Sequence, residues 1–438
     1  PAYNKLITKT FCDNAIRTVM MIDDDYVPYN KLVDLANKSE DINTLQRSLL
    51  SSQTASEIQS FFERKKFICD VSDGDEGFDT EKARKSDLLI LDYQLENDNP
   101  TRSLNILSKL SKTPHMNLVI LYTRETLSKV WLEIAASVTG FKRFETEEHF
   151  EDESFLELWE SETNDGDSLP ESWDDFSPND LAQFLKNKKI NPSHLSKKLG
   201  VEHRKYTKNI YCASAALKLA EFDKLDQTFE RVEIEGSFND IMWLKFGNVF
   251  IALHSKTDED DSEALWNTLT NSLIDWQPNY YRLITSEIQN QIENSGLTVN
   301  KFLVNDYHSQ SALLWQILGG FEDSEKHLKI MLENNADAFK DKIVFHPEIL
   351  QFASEVCSIL FDKYPNEEST TELDKVKFTS SHTSRELNLN DQGLANKVVH
   401  SLNKLLSTKI FVNDFITTGT ILHCEDDDDW LLCVTPAC

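Results

Sequence analysis

Glycine is scarce in this chain, at 12 of 438 residues, which is under 3% against a usual ~7%. Loops that cradle phosphate need glycine, because a Cβ would block close backbone approach. No G-x-G-x-x-G and no G-x-x-x-x-G-K-[ST] occurs, which argues against a Rossmann dehydrogenase, a P-loop NTPase or a protein kinase. Positive charge is short as well: 45 Lys+Arg face 74 Asp+Glu, for a net charge of −29. Such a surface repels phosphate backbones and speaks against nucleic acid as a partner. Nor is there any stretch near 18 consecutive apolar residues, and Pro1 to Thr10 lack the apolar core of a signal peptide. The expectation is a soluble, cytoplasmic protein with no membrane partner. Seven cysteines, odd in number and scattered, suit reduced thiols better than a disulfide frame. Cys424, Cys433 and Cys438 with His423 lack the spacing of zinc ligands.

What is present is enough for real cores: 40% hydrophobic residues, 25 of them phenylalanine. At roughly 150 residues per domain, the length suggests two to four domains. Thr18-Val-Met-Met-Ile22, Leu88-Leu-Ile-Leu91 and Leu118-Val-Ile-Leu121 are continuous apolar runs. Ala55, Ile58 and Phe62, and then Leu104, Leu107 and Leu110, recur at helical spacing between them. Apolar strands alternating with helices predict a parallel sheet covered on both faces, an α/β doubly wound fold over 1–144. Phe67 to Val71 reads as an edge strand.

Charge then divides the chain. Residues 145–180 hold 15 acidic side chains and no Lys or Arg, and read as an acidic insertion or linker over 145–185. Residues 186–208 reverse the sign, with eight basic side chains against Glu202. His194 to Val201 resembles the first helix and turn of a helix-turn-helix, although neutralisation by the preceding acids is the simpler reading. A small antiparallel sheet is expected from Phe229–Ile234, Ile241–Phe246 and Val249–Leu253, which closes a segment of 186–256. A mostly helical region follows over 257–410, including a helix opened by Pro347 with Leu350, Ala353, Val356 and Leu360 on one face. A β-hairpin over 411–438 flanks the acidic tip Glu425–Asp429. The chain stops directly after a strand at Pro436-Ala-Cys438, as a trimmed end would, so a further module after Cys438 stays open.

Chemistry gathers at strand ends. Asp23 and Asp24 follow the first run, Asp92 the second, and Thr123 ends the third. In parallel α/β sheets, ligands collect outside the carboxyl ends of the strands. Clustered carboxylates there repel one another unless a cation joins them, and Mg²⁺ suits such a set. An aspartate beside Mg²⁺ can attack phosphorus to give an aspartyl phosphate, and a nearby threonine hydroxyl can respond to it.

M-M-I-D-D-D (20–25), S-D-L-L-I-L-D-Y (86–93) and L-V-I-L-Y-T (118–123) resemble the receiver domain of response regulators, whose fold is flavodoxin-like. The resemblance implies Asp23 and Asp24 as the metal-binding acid pair, with Asp92 as third ligand of Mg²⁺ and phosphoacceptor. Thr123 would be the switch hydroxyl. It also implies a lysine ending the fifth strand. The nearest match is Lys142 in Phe141-Lys142-Arg143-Phe144, with arginine where proline usually stands. The interval from Asp92 to Thr123, 31 residues, fits the family, whereas that from Asp23 to Asp92, 69 residues, implies an enlarged first helix or an insertion. A histidine kinase is the implied partner, and the protein would be a phosphoacceptor in a two-component phosphorelay rather than a turnover enzyme. With the ending W-L-L-C-V-T-P-A-C (430–438), the chain is loosely similar to response regulators of Detocs-type bacterial phage-defence phosphorelays. There a second response regulator acts as phosphate sink, and homo-oligomers are conceivable.

Two other classes compete. Asp23-Asp24-Asp25-Tyr26-Val27 fits the first motif of haloacid-dehalogenase-like phosphatases, with Asp23 as nucleophile, Asp25 as general acid/base and Thr123 as second-motif hydroxyl. That family needs an acid pair after the second motif, and none follows Thr123 on a strand. A non-catalytic interaction scaffold, or pseudo-receiver, would use the same acids as caps and turns.

Overall fold

The computed structural model describes residues 2–28, 31, 33, 42–75, 78–95, 99–113, 116–141, 146–163, 168–186, 193–201, 203–225, 233–256, 262–295, 308, 311, 315, 340, 346–364, 371–381, 393–407, 419, 421–424 and 429–434. They fall into two compact units, Pro1–Ala353 and Ser354–Cys438.

The first unit is built on one seven-stranded sheet. The apolar runs form β1 (Thr18–Ile22), β3 (Leu88–Asp92) and β4 (Asn117–Thr123), with β2 (Ile68–Ser72) at one edge. Three later strands, β5 (Ile234–Phe238), β6 (Met242–Phe246) and β7 (Val249–Ser255), complete it in the order β2-β1-β3-β4-β7-β6-β5. The first five strands of that order pair in parallel, and β6 and β5 add an antiparallel flap. This is the doubly wound, flavodoxin-like arrangement, with its fifth parallel strand supplied by β7.

The sequence-based boundary at 144 therefore needs correction. The strands expected as a separate small sheet within 186–256 extend the same sheet, because β7 pairs with β4 from Asn117↔Val249 to Thr123↔Ser255. Of the first expected strand, residues 229–232 lie outside the described residues; the described strand begins at Ile234 and runs through Gly236. Glycine is required there: a Cβ would lie 2.8 Å from the Trp243 carbonyl and 2.9 Å from the Trp131 ring.

Side chains of alternate parity sort the helices onto two faces. On one, Ile22, Leu91, Leu121 and Leu253 share a core with α3 (Thr80–Arg84), α4 (Thr101–Ser111) and α5 (Leu127–Thr139). On the other, Met21, Ile90, Ile120 and Phe250 are buried. That side carries α1 (Ala2–Thr8) and α2 (Ile42–Arg64), whose 23 residues account for much of the long Asp23–Asp92 interval. It also carries α11 (Ser262–Trp276), where Trp276 meets Phe250 at 5.3 Å, and α12 (Tyr280–Ser295).

Between α5 and β5 the chain inserts a helical layer: α6 (Thr146–His149), α7 (Glu153–Thr163), α8 (Pro178–Leu185), α9 (Ser193–Lys198) and α10 (Thr207–Phe222). The acidic stretch folds through Phe155 and Trp159, buried beside Trp173 and Tyr206. Lys198–Asp175 at 2.6 Å ties the basic segment to the acidic one, and Lys218 of α10 holds Asp174 at 2.8 Å. The helix-turn-helix resemblance does not extend to a reading helix, since α10 is packed into the fold through Ile210, Tyr211, Ala213–Ala216 and Leu219, all buried.

Past the sheet the described residues are mostly helical. In α13 (Pro347–Lys363) the buried residues are Ile349, Phe352 and Val356, while Leu350, expected inside, is 53% exposed. The second unit adds α14 (Glu372–Ser381) and α15 (Leu394–Ser407), plus the small antiparallel hairpin β8 (Ile421–Cys424) and β9 (Asp429–Leu432). Among the described residues, no helix is long and apolar enough to cross a membrane.

Candidate functional site

Register brings the strand ends to one level. Ile22 pairs with Leu91, Asp92 with Tyr122, and Thr123 with Ser255, so Asp23, Asp92, Thr123 and Lys256 emerge together at the carboxyl edge. This edge lies where the strand order turns back past β1, the place for a ligand in an open α/β sheet.

Carboxylate oxygens of Asp23, Asp24 and Asp92 lie within 4.8 Å of one another. Asp23 is 3% exposed and Asp92 9%, whereas Asp24 faces solvent. The turn after β1 holds Asp23 in place: its Oδ1 accepts from the Asp25 amide at 3.0 Å, and its carbonyl from the Tyr26 amide at 3.0 Å. Asp92 Oδ1 accepts from the Gln94 amide at 3.2 Å.

The outer oxygens meet one cation. Lys256 Nζ donates to Asp92 Oδ2 at 2.7 Å and to Asp23 Oδ2 at 2.9 Å. Its backbone is fixed by a hydrogen bond that the Lys256 amide donates to the Thr123 carbonyl at 2.6 Å, and its ammonium stands 4.9 Å from the centre of the Tyr122 ring. Burial pushes the Asp92 carboxyl up to about 6, with Lys256 pulling it down and Asp23 adding to the rise. Burial, Asp23 and Asp25 raise Asp24 too. For Lys256, burial lowers the ammonium's pKa, but the two aspartates outweigh it and the net shift is upward. Three clustered carboxylates against one ammonium leave the site in excess negative charge. A divalent cation with oxygen preference, such as Mg²⁺, matches that donor set.

Thr123 is fully buried, and its Oγ1 accepts from the Glu125 amide at 3.1 Å. The structure thus gathers Asp23, Asp24, Asp92 and Thr123 at one edge. Lys142 lies outside the described residues, and the lysine observed at the aspartates is Lys256, which sequence reasoning missed. Its signal was present: it directly follows the apolar run Val249–Leu253 and His254-Ser255. That run was read as part of a separate sheet, not as the fifth strand.

In comparison with known families, residues 15–172 fit the model described as the response receiver domain. No curated protein and no solved structure matches. Residues 15–172 form a receiver domain by this match, which spans 158 of the 438 residues.

Proposed function

We propose that this receiver domain accepts a phosphoryl group on Asp92 from the phosphohistidine of a histidine kinase, with Mg²⁺ held by Asp23, Asp24 and Asp92. The observation that carries the reading is the Lys256 ammonium shared between Asp23 and Asp92 at the carboxyl edge of a receiver sheet. An Asp92 carboxylate oxygen attacks phosphorus, the P–N bond to the donor imidazole breaks, and the imidazole leaves with a proton. Bound Mg²⁺ would neutralise charge on the transferring phosphoryl oxygens. Lys256 is placed to follow an oxygen of the new acyl phosphate, because it already bonds the carboxylate that receives it. Thr123 is placed to donate its hydroxyl to another such oxygen once it leaves the Glu125 amide.

The finer form of the proposal is a phosphate sink in a phosphorelay, of the kind used in phage defence, beside a second response regulator in the cytoplasm. Its support is the loose resemblance of a receiver joined to a further region that ends in W-L-L-C-V-T-P-A-C (430–438). Cys12, Cys69, Cys212 and Cys357 are free thiols, which suits a reducing compartment.

Incubation with acetyl phosphate and Mg²⁺ tests the core of this reading by intact mass. One phosphoryl adduct is expected on the wild type and none on Asp92→Ala. An adduct of equal yield on Asp92→Ala, or continued turnover of a phosphomonoester by that variant, would instead favour the phosphatase alternative with Asp23 as nucleophile.

A further inference from the structure

The helix that follows Thr123 is enclosed on every side. All residues of α5 from Val130 to Val138 are buried, and a helix buried all round has partners on both sides of its axis. One side rests on the sheet. The other is covered by the chain's own insertion, through α8 and α10. The Lys224 amide donates to Ser137 Oγ at 2.9 Å, and the Phe141 amide to Asp223 Oδ2 at 2.9 Å.

A polar chain crosses this packing. Tyr93 directly follows Asp92 and is 1% exposed. Its hydroxyl donates to Glu133 Oε2 at 2.7 Å, and Glu133, 4% exposed, has its other oxygen 3.9 Å from Lys224 Nζ just past α10. Burial and the Glu133 carboxylate push the Tyr93 phenol upward, so it remains the donor. A buried carboxylate with so few partners is sensitive to small shifts in any of them.

We infer that the inserted helices are the built-in reader of the aspartate site, coupled to it through α5 by the Tyr93–Glu133–Lys224 chain. This rests on the phosphoacceptor reading above. A phosphoryl group on Asp92 brings new charge and acceptor oxygens, so Lys256 must redistribute between Asp23 and the acyl phosphate. Rotation of Thr123 toward it gives up the Glu125 amide and moves the entry to α5. The strand end bearing Tyr93 shifts from the other side. Close-packed α5 has no free surface on which to absorb either displacement, so α8 and α10 must move with it. The reading surface for this helix is then part of the same chain rather than a second protein.

Hydrogen–deuterium exchange on the full chain, with and without Mg²⁺ and beryllofluoride, tests the inference, with ¹⁹F NMR scoring beryllofluoride binding independently. Exchange within 207–225 is expected to change on the order of five-fold on binding, a usual size for coupled sites. Glu133→Gln should erase that change while leaving the one at 123–127. Because coupling is reciprocal, Lys224→Ala should alter beryllofluoride affinity by a similar factor. Tyr93→Phe repeats the test should Glu133→Gln fold poorly. Beryllofluoride bound with exchange at 207–225 unchanged overturns the inference alone. An absent bound ¹⁹F signal overturns the phosphoacceptor reading, and the inference with it.

Discussion

Asp87 and Asp92 sit at the two ends of β3, and their surroundings could hardly differ more. Asp87 Oδ2 accepts from the Arg17 amide, the Thr18 amide and the Thr18 hydroxyl, each at 2.9 Å. Its own amide returns a bond to Thr18 Oγ1 at 3.0 Å. The whole amino edge is sewn in this way. Buried Asn117 donates to the Ser86 carbonyl at 2.9 Å, and Asn248 donates to the Thr113 carbonyl at 2.6 Å. Asp92 meets instead a lysine that it must share, plus two more carboxylates. Three neutral donors converging on one carboxylate oxygen mark a structural acid. Like charges left short of a counter-ion mark a site waiting for a ligand.

The contrast breaks first at Asp92. Asp92→Asn should lose all phosphorylation by acetyl phosphate yet unfold no earlier than the wild type, since it removes a buried charge from a repelling cluster. A large drop in Tm would show that Asp92 is structural after all. Asp87→Ala should do the reverse. Leaving the Arg17 and Thr18 donors unpaired costs about 2–3 kcal/mol, read as a lower denaturation midpoint, while the folded fraction still takes up phosphate.

Gly247→Ala probes the amino edge from another strand, with a somewhat smaller effect. Gly247 adopts φ +50°, and a Cβ would lie 2.3 Å from the Ser111 carbonyl at the end of α4. The Asn248 amide bonds that same carbonyl at 3.1 Å, so the turn cannot simply back away. A loss of about 2 kcal/mol is expected, and calorimetry showing none would mean the seam is loose.

Much of this division was readable in the sequence. Continuous apolar runs ending in Asp23, Asp92 and Thr123 announce a parallel sheet buried on both faces, and acids at its carboxyl edge. Lys256 was not, because it follows Thr123 by 133 residues. Parallel pairing of β4 with β7 leaves no local trace, whereas β6 and β7 announce themselves as a hairpin. Sequence-local signals therefore assigned β7 to its antiparallel neighbour alone. Gly236 hid the continuation of β5 past Ile234 for a similar reason. Glycine reads as a break until the close approach of Trp131 and Trp243 shows why it is needed. The misplaced stripe of α13 has a simpler cause: Ile349 and Leu350 are adjacent apolar residues, and spacing alone cannot choose which faces inward.

The smallest expected effect lies in the pH dependence of the same comparison, measured in chelator so that no divalent cation intervenes. Burial raises Asp92 from 3.8 in an unfolded chain to about 6 in the fold. A carboxyl raised on folding binds its proton more tightly in the native state, so its penalty is absent below about pH 4 and grows as pH rises toward 6. The Tm difference between Asp92→Asn and wild type should therefore be near zero at pH 4, turn in favour of the variant through that window, and level off by pH 7. A flat difference for Asp92→Asn would mean that Lys256 already offsets the burial of Asp92 and that the site carries less excess charge than its three carboxylates suggest.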